Sequence, residues 1–537
     1  MKKQKIALLC ATAMMFSILS GCGGSETDNE AKKEKGTKTE ATVKGESGTF
    51  TMAISYMPSS LQPTTASDDQ VTMVRPIYES FFADTKDGMD YYLAESLDIS
   101  EDAKTYTIHM NPEATWSDGE PVTVDDVLFT INYNSLNSGG KSSYNTINGQ
   151  DVTFNKVDEK TLDIVLPEAY ATYATSLGRM MLLPAHEFAN DPSKVDDSGY
   201  FNSTDMVTSG AYTVSEINDD SIVFVSRDDY YRGKPQVKKI IMKTIGAGST
   251  KQVAFENGEI SYMRITTKEE LEKYESQPDK YNIYSVSEAR LNYLQLNPYG
   301  PAKDKLTEDG RKAIFLALNG KEIVDAAYGT DKLATPANSL LTPDQTLYDP
   351  ECKGYEQNLE KAKKLAKSSG LEGETLVYIY NADRPNMEAV ATVIQQQLAE
   401  IGVNLSIEGL DSPTFFNRFF GLSFGTGEEV SWDLGTNGWD SERGSNLGQA
   451  YSYINNKLDS WGFSDKAAQL AIEVNSATTA DEAKEKAKEL QELALSEYWE
   501  YPLTYTDYVM VAQKNVKGLD GNSVVPEFID LLTIEVE

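Results

Sequence analysis

The residue most clearly set up for a reaction is Cys22. It follows Leu19-Ser20-Gly21, and ahead of these stand Lys2, Lys3 and Lys5 and an apolar run from Ile6 to Leu19. A basic start, a short apolar stretch and small residues before a cysteine are what a secretory signal needs if its removal is to expose a thiol for acylation. Residues 1–21 are therefore expected to be a signal peptide and Cys22 to carry lipid, holding the chain at the outer face of a membrane. The apolar run is too short to span a bilayer, which takes about 20 residues. Residues 22–48 contain no aromatic side chain and are rich in Gly, Ser, Thr, Glu, Lys and Asp. That composition buries too little apolar surface to offset the entropy of ordering, so a flexible tether is expected.

Other arrangements that could do chemistry are less complete. Gly139-Gly140-Lys141-Ser142 resembles a phosphate-cradling loop, but the leading glycine of that pattern falls on Ser135, and the segment reads as a surface loop. Gly421, Gly425 and Gly427 do not lie between a strand and a helix, as a nucleotide fingerprint requires. Two histidines, His109 and His186, leave little for a histidine-based metal site or a Ser-His-Asp relay. His109 reads as the polar face of a strand on which Tyr106, Ile108 and Met110 alternate. The 83 Asp and Glu residues guarantee carboxylate pairs, so such pairs lend glycoside cleavage no specific support. Neither a nucleophile elbow nor a His-Glu-x-x-His helix is expected. The expectation is no catalytic residue, no metal and no cofactor.

Stepping outward to what must carry any site, residues 49–537 are about three times a typical domain length, so at least two lobes are expected. With 40% hydrophobic and 25% charged residues the body reads as globular. The formal charge of −34 repels nucleic acid and offers no basic stripe for phosphate. Of three cysteines, Cys10 falls in the leader and Cys22 is acylated, so Cys352 has no intramolecular partner and apolar cores must hold the fold. A helix is predicted from about Val124 to Asn134, with Thr123 and Asp126 as its capping box. Thr105–Met110 and Thr161–Leu166 read as strands. Further on, Leu359–Lys367 is a helix ended near Gly370. Thr375–Tyr380, the apolar stripe Met387, Val390, Ile394, Leu398 and Ile401, and the alternation Val403, Leu405, Ile407 make one βαβ unit. A last capped helix is predicted from Ala480 to Glu497, with Thr479 and Glu482 as its box.

At Tyr91 to Leu97, at Thr105 to Met110 and at Trp116-Ser117-Asp118-Gly119-Glu120-Pro121-Val122-Thr123, the chain resembles the solute-binding lipoproteins of oligopeptide and dipeptide ABC importers. Further matches follow in family order: Ser60-Leu61-Gln62-Pro63, Ser209-Gly210-Ala211-Tyr212, Tyr230-Tyr231-Arg232-Gly233-Lys234-Pro235, Gly258-Glu259-Ile260, Arg311 to Ile323, Gln395 to Val403 and Gly438-Trp439. The resemblance implies an α/β, two-lobed periplasmic-binding-protein-like (type II) fold with an additional inserted subdomain. Lobe I would be discontinuous, comprising 49–77, 192–286 and 506–537, with the insert at 78–191 and lobe II at 287–505. It implies a monomer, lipid-anchored at the extracytoplasmic face of a bacterial cell membrane, that captures a peptide between its lobes and delivers it to the importer's permease.

Peptide-binding members hold the ligand's ammonium with an Asp three residues after the Trp of a Gly-Trp motif. That position is Glu442 here, following Trp439-Asp440-Ser441. Either Glu442 reaches the ammonium, Asp440 substitutes, or the ligand has no free amine. By family position Gly438 to Asp440, Ser60 to Gln62 and Ser209 to Ala211 would line an extended peptide, although Ser209 to Tyr212 also reads as a simple turn. Arg384, beside Pro385, would clamp a ligand carboxylate, since a guanidinium offers two parallel donors. Gln62 stands where many members have Asp. Short oligosaccharides are the alternative ligand, with Trp432, Trp439 and Trp461 as stacking platforms. A tethered hydrolase is the rival from another class.

Overall fold

The computed structural model describes residues 48–537 apart from 66–68, 86–87, 140–141, 143, 148, 171–172, 197–198, 247, 346, 425–430, 441–460 and 522–529. Cys22, Gly140, Lys141 and Glu442, and the side chains of Trp439 and Asp440, lie outside what is described. Among the described residues no helix is long and apolar enough to cross a membrane.

Among the described residues three larger sheets organise the fold, beside three two-stranded ones. Thr49–Ile54, whose Phe50, Met52 and Ile54 point inward, runs parallel to Lys239–Thr244, and Ser221–Ser226 and Tyr212–Ile217 follow antiparallel. A second four-stranded sheet is antiparallel throughout, in the order Ala94–Ile99, Thr105–Met110, Thr161–Val165, Thr153–Lys156. Beside it lies the helix Val124–Asn137, three residues longer than predicted. Thr123 caps it, and Asp126 Oδ2 in return accepts the Thr123 N–H at 2.9 Å. Asp126 is buried and also accepts from Trp116 Nε1 at 3.3 Å and the Ala185 N–H at 2.9 Å, so the capping carboxylate ties the Trp-Ser-Asp-Gly turn to the helix.

The third sheet has seven strands, in the order Tyr262–Ile265, Glu500–Gln513, Tyr281–Leu296, Leu434–Asp440, Thr375–Asn381, Asn404–Leu410, with Ala334–Pro336 paired to Glu500–Gln513. The predicted βαβ unit is its outer part: Thr375–Asn381 and Asn404–Leu410 pair in parallel around the helix Met387–Ala399. Leu359–Ser369 and Ala480–Glu497 are helices as expected. The box on the second is offset by one residue. Thr479 Oγ1 accepts the Glu482 N–H, but Glu482 Oε2 accepts from Thr478 instead of Thr479.

One apolar core unites the first two sheets, from Phe50 through Trp116, Leu162 and Phe224 to Ile534. A second is built on Leu294, Phe315, Tyr378, Ile394 and Val509, and a third on Leu291, Phe419, Trp432, Ala471 and Leu490. Phe255, Leu271 and Tyr274 pack in the second core, so apolar contacts bridge the 286/287 division expected from sequence.

Gly421-Leu422-Ser423-Phe424-Gly425 does have Gly-x-Ser-x-Gly spacing. Gly421 to Phe424 nevertheless belong to the helix Ser412–Phe424, whereas a nucleophile elbow is a sharp turn between a strand and a following helix, and Gly425 and Gly427 lie outside the described residues.

Candidate functional site

The strands Tyr281–Leu296 and Glu500–Gln513 are long, 16 and 14 residues, and are rich in the aromatic and branched residues that favour pleated structure. The division points read from sequence, 286/287 and 505/506, fall within this one pair. The register shifts there, between Ser287 and Arg290, and Ala289 adopts φ 48° in the left-handed region. An L-residue so placed costs about 1–2 kcal/mol, and a hydrogen bond from the Ala289 N–H to Ser287 Oγ at 3.1 Å helps to hold it. Bulges of this kind re-aim side chains.

Around the bulge is a largely buried polar array, with Arg264 half-buried at its rim, that the sequence did not reveal. Arg264, on Tyr262–Ile265, forks onto Glu288, with Nη1 and Nη2 donating to Oε1 and Oε2 at 2.8 and 2.7 Å. Thr506 Oγ1 adds a donor to the same carboxylate at 2.6 Å. Arg290 Nε donates to Asn292 Oδ1 at 3.1 Å, and Asn292 Nδ2 to Thr504 Oγ1 at 3.0 Å. The Arg264 guanidinium lies 4.5 Å over the Tyr508 ring. Burial works against charge on Arg264, yet Glu288 and Tyr508 together more than offset this and hold its pKa above the ordinary value. The available signal was Glu288-Ala289-Arg290, two opposite charges inside a strand-forming run.

Gly438 belongs to this array. Leu434–Asp440 pairs with the first long strand so that Gly438 faces Asn292, Trp439 faces Leu291 and Asp440 faces Arg290. A Cβ at Gly438 would lie 2.4 Å from Asn292 Oδ1 and 2.7 Å from Arg290 Nη2, so glycine lets the two polar side chains cross the strand. Arg384 sits in the turn between Thr375–Asn381 and Met387–Ala399 and is half-buried. Its turn is brought to the array's edge by Asn386, whose Nδ2 donates to the Thr266 carbonyl at 3.1 Å, two residues past Arg264.

The other sequence-selected residues are built into the first core. Leu61 is buried, with its N–H on the Phe201 carbonyl at 3.0 Å. Gln62 is locked to Tyr133 of the helix Val124–Asn137, and its N–H bonds Ser60 Oγ. Ser209 is fully buried and its Oγ accepts the Glu79 N–H at 3.1 Å. Ala211 receives the Arg227 N–H on its carbonyl at 2.9 Å. Among the described residues no hydrogen bond or ion pair joins 60–62 or 209–211 to the array. The Tyr-Tyr-Arg motif likewise has an internal partner: Tyr230, Tyr231 and Arg232 all donate to Glu79, and Arg232 also reaches Asp530 at 2.8 Å. Burial pushes the Glu79 carboxyl up despite these donors.

Gly210 is the tightest of these positions. A Cβ there would meet the Pro76 carbonyl oxygen at 2.5 Å and the Ile77 carbonyl carbon at 2.8 Å, and backbone cannot swing aside as a side chain can. Gly210→Ala is expected to destabilise the fold by about 1–3 kcal/mol, read as a lower urea midpoint at unchanged slope.

A cavity of about 130 Å³ lies next to the array, between the end of Thr49–Ile54 and the strand Tyr262–Ile265. Among the described residues it is lined by Met52, Met73 and Met263 on one hand and by Thr72, Lys251 and Arg264 on the other.

Residues 89–457 match the family described as "Bacterial extracellular solute-binding proteins, family 5 Middle". A Brucella ovis protein named as a peptide-binding protein of an ABC transporter is 27% identical over 63% of this chain, and the match spans 63% of that relative's length. The oligopeptide-binding protein AppA of Bacillus subtilis is 22% identical over 100% of this chain and 99% of its own. Among solved structures, the ABC transporter substrate-binding protein CtaP of Listeria monocytogenes superposes with a TM-score of 0.80 at 26% identity, covering 91% of this chain and 99% of that one. The architecture is thus that of the two-lobed α/β binding proteins.

Proposed function

We propose, from the premise that this chain belongs to the bacterial extracellular solute-binding proteins of family 5, that it is the lipid-anchored substrate-binding component of an ABC importer, capturing peptides between two lobes and delivering them to a membrane permease. The observation that carries this reading is the family match over residues 89–457, which includes both Glu288-Ala289-Arg290 and Gly438-Trp439. Lobe I is assigned to 49–77, 192–286 and 506–537, the insert to 78–191 and lobe II to 287–505. The bulge at Ser287 to Arg290 then lies at the junction, where a strained residue in a long strand pair suits a hinge. Gly438, Trp439, Asp440 and Arg384 approach the ligand from lobe II, with Glu442 or Asp440 taking the ammonium. Residues 60–62 and 209–211 contribute backbone, since their side chains are occupied internally. Capture is reversible and involves no covalent step. Cys22 supplies the anchor.

Thermal unfolding tests this directly. A bound peptide raises stability by RT ln(1 + [L]/Kd), about 2.7 kcal/mol at a hundredfold excess over Kd. Short peptides are expected to raise the melting temperature and short glycans to leave it unchanged. The opposite result would move the protein to the oligosaccharide reading, and turnover of ester, peptide or glycosidic substrates by the pure protein would make it a hydrolase. Glu442→Gln is expected to weaken free-amine peptides by about 2–5 kcal/mol in titration calorimetry. Equal affinity would assign the ammonium to Asp440 or to no residue.

A further inference from the structure

We propose that Asp118, His186 and Glu187 form a site for a divalent transition cation such as zinc, which clasps the Trp-Ser-Asp-Gly turn to the segment that follows Pro184. Its occupancy does not depend on what the protein captures.

One ligand atom from each of the three side chains lies within 4.8 Å of the other two. His186 Nε2 stands 2.9 Å from Asp118 Oδ2 and 3.9 Å from Glu187 Oε1. Bonds of about 2.0–2.2 Å to one metal, at tetrahedral or octahedral angles, hold donor atoms roughly 3–3.5 Å apart. A rotamer-scale shift of Glu187 is therefore enough to admit the ion. Asp118 and His186 are 68 residues apart in sequence and are held from separate sides. The Asp118 turn is closed by the Trp116 N–H on the Glu120 carbonyl at 2.8 Å and the Gly119 N–H on the Trp116 carbonyl at 3.0 Å. Asp118 Oδ1 accepts the Glu120 N–H at 3.1 Å, which leaves Oδ2 to face the imidazole. On the other side the Ala185 N–H is fixed on Asp126 at 2.9 Å, and the Trp116 ring stands edge-on to His186 with centroids 6.3 Å apart. Asp126 adds a third carboxyl group near enough to interact electrostatically with His186. Among the described residues neither Asp118 nor Glu187 pairs with a Lys or Arg, so no fixed cation occupies the place of the metal. The three side chains are each about a third exposed, which leaves the solvent side open for water to complete the coordination. One imidazole with two carboxylates suits zinc, nickel or manganese better than calcium or magnesium, which prefer oxygen alone. The scarcity of histidine does not count against such a site, because it needs only one.

The test uses the whole purified chain, its thiols alkylated and its metals removed by chelator, in calorimetric titration with zinc chloride and in absorption titration with cobalt(II), whose d–d bands report coordination. The parent chain is expected to bind one zinc ion saturably with micromolar affinity and to melt at a higher temperature in its presence. His186→Gln and Glu187→Gln are each expected to weaken binding about tenfold or more. The Glu187 carboxylate has no hydrogen bond to lose among the described residues, so the second variant keeps the fold and reads the metal alone. His109→Gln removes the other histidine, which stands 3.3 Å from Asp98, and is expected to leave zinc affinity unchanged. Affinity unaltered by His186→Gln or by Glu187→Gln would overturn the site. So would loss of binding in His109→Gln, or the absence of saturable zinc binding below millimolar concentration in the parent chain.

Discussion

The Glu500→Gln variant is expected to be more stable than the parent chain, by an amount that grows from pH 5 to pH 8. Glu500 opens the second long strand opposite Gln295, is 2% exposed, and its Oε1 has no hydrogen-bond partner among the described residues. Burial pushes its carboxyl from an ordinary 4.5 up to about 8. Tyr355, whose hydroxyl approaches the Glu500 carbonyl at 3.5 Å, is a titratable neighbour and stays neutral over this range, its own pKa raised by burial. At low pH the folded and unfolded chains both hold the proton, and ionisation costs nothing. Above about pH 4.5 the unfolded chain releases it while the folded chain keeps it, so stability falls until the folded carboxyl ionises as well, above about pH 8. At roughly 1.4 kcal/mol per pH unit, the loss is about 3 kcal/mol at pH 7 and about 4 kcal/mol at pH 8. Glutamine has no proton to lose and nearly the same shape. Urea unfolding at pH 5 and pH 8 reads the difference. A gap of the same size at both pH values would mean that Glu500 is solvated in the folded chain.

Glu288→Ala should act in the other direction. Its carboxylate takes two guanidinium hydrogen bonds and one from Thr506 while only 9% exposed, so its loss leaves Arg264 and the Thr506 hydroxyl without their anion. Breaking a buried pair from one side costs about 3–5 kcal/mol, whereas replacing both partners by apolar side chains is often nearly neutral. Arg264→Met/Glu288→Met is therefore expected to recover most of the stability that Glu288→Ala loses. Chemical unfolding of the variants, arranged as a double-mutant cycle, gives the coupling. An unchanged midpoint for Glu288→Ala would show that water reaches the pair.

Local signals in this chain were legible where one element is sufficient to define them. Thr123 and Asp126 announced a helix because a capping box joins neighbours in sequence. The βαβ unit could be read from its apolar periodicity, and the Trp-x-Asp-Gly run and Gly438-Trp439 carried the family. The offset cap on Ala480–Glu497 shows the limit of such reading, since Thr478 and Thr479 offer Glu482 nearly equivalent backbone donors and only the incoming chain decides between them.

Family, helix caps and strand alternation are properties of short windows or ordered motifs, and the amino-acid sequence was enough to determine them. Tertiary structure alone decided that Arg264, Glu288, Arg290, Asn292 and Thr506 form one largely buried array, that Ser209 and Gln62 face inward, and that a cavity lies beside Arg264. The physical reason is separation along the chain. Arg264 and Thr506 meet on one carboxylate through strand register and a bulge, and whether a charge is buried against a partner or left in water depends on which distant strands are paired there.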